Sequence, residues 1–137
     1  MLQTSLKLTK VENTGSDKKD TLHIGANRNR IKGYINVLRM RDKDTQQVIL
    51  YVPAIELTSY GDTPAKAEEM LHIELGSFFS YLLELNPGKL DETLLELGWK
   101  KVRFRNKDFS KVCVDFKGEL ENFNIVESEV EHLALVS

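Results

Sequence analysis

The run Tyr60-Gly61-Asp62-Thr63-Pro64 is the most restrictive punctuation in the chain. Gly61 supplies turn freedom. Asp62 or Thr63 offers a side-chain oxygen to the first orphan amides of a helix, and Pro64 suits the first helical position. From Ala65 to about Leu85 the apolar residues Ala67, Met70, Leu71, Leu75, Phe78, Leu82 and Leu85 recur mostly three or four apart. Lys66, Glu69 and Glu84 look outward, and Phe79 and Leu83 widen the stripe. Such a helix must cover something. Asn86-Pro87-Gly88 stops it.

A sheet is written just upstream. Tyr34, Val37 and Arg39 sit among Ile35, Leu38 and Met40 in a β-rich run that ends in the turn Arg41-Asp42-Lys43-Asp44. Gln47 to Val52 is a second strand, apolar enough to lie centrally, and Pro53 ends it because proline cannot donate to a ladder. Ile55, Leu57 and Ser59 alternate with Glu56, Thr58 and Tyr60 as a third strand. Connections this short predict an antiparallel meander packed by the long helix, an α+β fold. Downstream, Leu90 to Leu97 predicts a short second helix capped by Gly98. Val102–Arg105, Lys111–Phe116 and the ambiguous stretch Phe123–Val136 are read as further strands. The first thirty residues, with their turn-rich Asn13, Gly15, Ser16 and Asp17, read as a polar, flexible arm. The remainder, 31–137, forms a single domain: a core over 31–86 and a C-terminal extension over 87–137.

Length and composition narrow the class. The 137 residues fit one domain, and 41% hydrophobic content is enough to bury a core. No apolar run approaches the roughly 20 residues needed to span a bilayer, and the N-terminal stretch has no secretory apolar core. A soluble, cytoplasmic protein that does not engage membranes is the expectation. The net charge of −2 conceals a segregation. Residues 1–32 carry seven Lys/Arg against three acids, and 33–99 carry five against eleven. Residues 100–117 carry seven against two, and 118–137 have five acids and no base. Such blocks either build separate charged faces or pack together and cancel.

Chemistry is sparse. His23, His72 and His132 have no ligand-like spacing, and a single cysteine, Cys113, makes neither a disulfide nor a cysteine-based zinc site. In an apolar strand Cys113 reads as a buried, inert thiol. No phosphate loop, dinucleotide fingerprint or nucleophile elbow occurs, so neither cofactor nor metal is expected. A metal-dependent nuclease would draw on Asp42, Asp44, Glu68, Glu69 and Asp115, but Asp42 and Asp44 already explain a turn. A nucleic-acid module would draw on Lys100, Lys101, Arg103, Arg105, Lys107 and Lys111, clustered around Phe104 and Phe109. In a strand, Arg103 and Arg105 would share a face with Phe104 on the other. A guarded, solvated sheet edge explains the same lysines and arginines.

The stretch Val48 to Leu75 resembles the HicB antitoxin family through Pro53, Gly61, Asp62, Thr63, Ala67 and Glu68; with the preceding strand the resemblance covers about 45 residues from Lys32, a third of the chain. It implies a β-β-β-α core like a partly degraded ribonuclease H fold. It also implies a non-enzymatic protein that masks a small basic ribonuclease toxin of HicA type, and dimers or tetramers are common in the family, so a homodimer is one expected state. Glu68, Glu69 and Glu74 of the acidic central block are the candidate partner-binding residues; Pro53, Gly61, Asp62, Thr63 and Pro64 are the structural motif. Three features depart from the family. After the proline, Ala54 replaces the usual acid and a usual glycine is replaced within Glu56-Leu57; the polar arm of residues 1–30 is extra; and no DNA-binding module is recognised beyond Leu85.

Overall fold

One long strand organises the sheet. The fold is taken from a computed structural model, which describes residues 3–4, 6–11, 18–25, 30–103, 105–112 and 116–137, with backbone alone at 3, 4 and 106. Among these, the strands in chain order are β1 (Gln3–Thr4), β2 (Lys7–Lys10), β3 (Asp20–Ile24), β4 (Arg30–Arg41), β5 (Val48–Val52), β6 (Leu57–Gly61), β7 (Lys100–Val102), β8 (Arg105–Lys111) and β9 (Glu131–Val136). The helices are α1 (Pro64–Glu84), α2 (Pro87–Glu96) and the short α3 (Phe116–Leu120). The main path of the sheet runs β2-β9-β4-β3-β8-β7, with β5 and then β6 branching from β4. All pairings are antiparallel except the two-residue β1 beside β4.

The twelve residues of β4 give it room for four partners. One edge takes β9 from Tyr34 to Arg39. The other takes β3 at residues 31–34 and β5 at residues 38–41. In the gap between β3 and β5 a side chain stands in for a strand. Asp20 Oδ1 accepts from the Asn36 backbone N–H at 2.8 Å and from Asn36 Nδ2 at 3.0 Å, so no buried donor is stranded there.

Period-two alternation sends β4 side chains into two cores. Ile31, Ile35 and Val37 join Leu22, Val48, Leu50, Val52, Phe109 and Leu135 under α1 and α2. Ala67, Leu71, Leu75, Phe79 and Leu82 of α1 are fully buried on that face, as are Leu94 of α2 and, almost completely, Trp99 beyond it. On the opposite face Leu38, Met40 and Ile49 meet Ile125, with Tyr51, Phe116, Leu120, Phe123 and Val130 around them. Among the described residues the second face is therefore covered only at its β5 end.

The punctuation at residues 60–64 is realised as expected. Thr63 is the N-cap, its Oγ1 accepting from Lys66 N at 3.2 Å, and Pro64 opens α1. Gly61 has a sharper role than turn freedom. A Cβ there would stand 2.3 Å from Ala67 N, because the first turn of α1 lies directly on β6. Asn86 then caps α2 through Lys89 N, and Gly98, at φ 94°, ends it while Trp99 N reaches back to Leu94 O.

The meander, the long helix and the short second helix agree with the sequence reading; the flanks differ. Residues 20–24, read as part of a polar arm, form a strand with Leu22 and Ile24 buried, paired on both edges. Charged neighbours hid its five-residue alternation. The turn-rich residues Asn13 to Asp17 lie outside the described residues, as do Cys113 and Asp115. Of the strand expected over Lys111–Phe116 the described residues bear out only its first: β8 ends at Lys111, Val112 is 76% exposed, and Phe116 begins α3. The C-terminal stretch is a strand only from Glu131, preceded by a turn of 3₁₀ helix at Glu127–Glu129. Met70, assigned to the buried stripe of α1, is 41% exposed.

Gly61→Ala forces backbone apart where β6 and α1 touch. It is expected to cost about 2 kcal/mol or more, read as a lowered urea midpoint with an unchanged slope.

Candidate functional site

The helical layer is acidic. Residues 64–96 hold seven acids against Lys66 and Lys89. The three acids singled out from sequence do not converge. At about 100° per residue, Glu68, Glu69 and Glu74 lie roughly a third of a turn from one another around α1. Glu68 sits 3.7 Å from His72 one turn on, Glu69 is exposed, and Glu74 is half-buried beside the core stripe. What the solvent side of α1 does gather is an apolar row: Met70, Ile73 (56% exposed) and Tyr81 (55% exposed), with Glu69 and Glu84 alongside. The sequence signal was present, since Ile73 and Tyr81 fall off the buried stripe. Single apolar residues off a helical stripe are common on protein surfaces, so the sequence alone does not mark them as a patch.

The basic segment divides. Lys101 turns toward the helices, with Nζ 2.5 Å from Asp91 Oδ2. Lys111 is committed inward as well: its Nζ donates to Leu97 O at 2.6 Å, at the end of α2, and approaches Ala54 O at 3.5 Å. Ala54 O also accepts from Trp99 Nε1 at 2.9 Å, so this carbonyl, in the turn after β5, ties the segment after α2 and β8 together. Arg103 occupies the turn of the β7–β8 hairpin rather than sharing a strand face with Arg105; Phe104 lies outside the described residues. Arg105 is exposed, its Nη1 3.8 Å from Asp108 Oδ2, and Lys107 is exposed on the same strand.

Lys100 faces the other way, and there the register brings distant segments together. Lys100 is opposite Ser110, Ser110 opposite Thr21, Thr21 opposite Tyr34, Tyr34 opposite Val136, and Val136 opposite Lys7. Cross-strand partners share a face, so this row crosses six strands, about 24 Å. Lys18 Nζ stands over the Tyr34 ring at 4.5 Å. The next row holds Asp108, His23 and Lys32, with His23 Nδ1 2.5 Å from Asp108 Oδ1. These residues occupy the sheet face opposite the helices, beyond the cover provided by α3. Pairing β3 with β8 merges the two basic segments on this face, while Glu119 of the acidic C-terminal block stands on the same side of the sheet at its β5 end.

Several other titratable groups hold local structure. Asp42 caps its own turn through Thr45 and Asp44 amides, which hold its carboxyl below the usual range. Asp44 accepts from Asn124 Nδ2. Tyr51 is pushed up to about 12 by burial and then by the Glu119 carboxylate to which it donates. Asn36 Oδ1 lies 2.7 Å from His132 Nε2, and His132 packs edge-on against Phe116. Among the described residues no three His, Cys, Asp or Glu side chains gather as metal ligands. No helix among them is long and apolar enough to cross a membrane. Compared with protein-family models, curated proteins and solved structures, the chain matches none.

Asp20 supplies a pH dependence. At 2% exposure, burial raises its carboxyl above 3.8, against the lowering effects of Asn36 and Lys111. A raised folded value means a stabilising contribution that is full below 3.8 and lost as pH rises through the folded value. Asp42 and Glu131, both lowered, act oppositely: their contributions hold above 3.8 and 4.5 and fade on further acidification. Urea midpoints are therefore expected to rise on acidification from neutral pH toward the ordinary carboxylate range and then fall. Asp20→Asn, which keeps an oxygen for Asn36, should flatten the rise and leave the fall.

Proposed function

We propose that the chain is a non-enzymatic, HicB-like binding protein whose acidic helical layer holds and masks a small basic protein, of the kind a ribonuclease toxin would be. The observation that carries the reading is the solvent side of α1, where Met70, Ile73 and Tyr81 stand exposed on a strongly acidic layer. Exposed apolar side chains supply the desolvated centre that a stable interface needs, and the surrounding carboxylates favour encounter with a cationic partner. The β4-β5-β6-α1 succession is the arrangement the family resemblance implies. Glu56 adds a local point of agreement. It lies at φ 53°, a left-handed conformation that glycine adopts freely, within the dipeptide where the family has its glycine.

The test is co-expression with the product of a small basic reading frame adjacent to this one. The two products are expected to co-purify, and Ile73→Glu or Tyr81→Glu should weaken the complex at least tenfold. Both side chains are largely exposed, so the urea midpoint of the free protein should shift little. A complex indifferent to both substitutions, or no complex with any such neighbour, would remove this reading.

A further inference from the structure

We propose a second binding surface: the sheet face opposite the helices takes single-stranded nucleic acid, with Lys7, Lys18, Lys32 and Lys100 on the phosphates and Tyr34 as the platform for one base. Four segments far apart in sequence deliver these lysines to one face, through the β2–β9–β4–β3–β8–β7 register and the Lys18–Tyr34 contact. All four are exposed. The one carboxylate described in the two rows, Asp108, is already held by His23 and Arg105 and subtracts little from the field.

The chemistry favours a polyanion with bases over a protein. The row offers hydroxyls and ammonium groups, which suit phosphate and sugar oxygens. It lacks the cluster of large exposed apolar anchors that protein interfaces use. Tyr34 lies mid-row between the lysines at the two edges of the sheet. A stacked base near the centre, with backbone running to either side, matches how positively charged surfaces with an aromatic platform hold single strands. A duplex keeps its bases stacked and offers the ring nothing. In the free protein Lys18 covers the ring; its transfer to a phosphate exposes the face on which a base stacks.

The experiment is fluorescence anisotropy of the full chain with labelled uridine-rich RNA, thymidine-rich DNA of equal length, and a duplex, between about 50 and 200 mM salt. Both single strands should bind more tightly than the duplex. An RNA preference would add 2′-hydroxyl contacts to the Thr21–Ser110 part of the row, and equal binding would confine recognition to backbone and base. The triple variant Lys7→Gln/Lys32→Gln/Lys100→Gln should bind at least tenfold more weakly. Its logarithmic salt slope should be shallower by about 2, the value for three lost phosphate contacts on a single strand. Tyr34→Leu should cost about tenfold with the slope unchanged. Lys66→Gln/Lys89→Gln, on the helical layer, should leave affinity within about twofold. Duplex preference, displacement by polyglutamate as effective as by polyuridine, or an equal loss in the helical-layer variant would each overturn the proposal.

Discussion

β4 is paired along both edges, and nearly every other element takes its position from that fact. β9 lines one side, while β3 and β5 share the other end to end, leaving a gap opposite Asn36. The gap is closed by a carboxylate. Asp20 satisfies the Asn36 amide, Asn36 Nδ2 also reaches Lys18 O, and Asn36 Oδ1 meets His132 on β9. A buried charge is a costly way to complete a ladder, and burial raises the Asp20 carboxyl accordingly. The arrangement recovers that cost by letting β4 continue past β3 to begin the β4-β5-β6 meander without leaving two buried donors unpaired.

The same division sets the distribution of charge. Because β3 reaches only residues 31–34 of β4, its outer edge is open to β8. That pairing places residues from the first basic block beside residues from the second. The acidic block forms α1 and α2 on the other side. Lys101 and Asp91 join the layers, and Lys111 closes the end of α2 while contributing its charge to the neighbourhood of Asp20. Basic residues near β8 therefore serve two ends: some hold the hairpin to the helices, and others remain on the opposite face.

What could be read in the sequence was local. Thr63, Pro64 and the three-and-four spacing of Ala67, Leu71, Leu75, Phe79 and Leu82 specify a capped amphipathic helix from short-range physics alone, and the meander before it obeys a period of two. β3 could not be read the same way. Its buried residues, Leu22 and Ile24, are few, and its ladder partners lie 7–13 and more than eighty residues away. The candidate surfaces fell on the same divide. Lys100 stands out in sequence as part of the basic cluster after residue 99, but its place on one face with Lys7, Lys18 and Lys32 follows only from register. Glu68, Glu69 and Glu74, close in sequence, point apart because a helix turns about 100° per residue. Composition revealed that charge was segregated, while topology decided which segments would share a face.

The two charged faces are separated by the sheet and by a helix about 10 Å across. At physiological ionic strength the screening length is about 8 Å, so the helical carboxylates do little to cancel the field at the lysine row. A charge near zero for the whole chain is then no guide to either surface. A polyanion meets an attractive face and a repulsive one, and a polycation meets the reverse, so each orients before contact. Opposite placement also removes steric conflict, since a ligand on the lysine row touches β-strand residues that α1 never covers. One small sheet in this way carries a basic row on one face and an acidic helical layer on the other, with the β3–β8 pairing keeping the basic segments together.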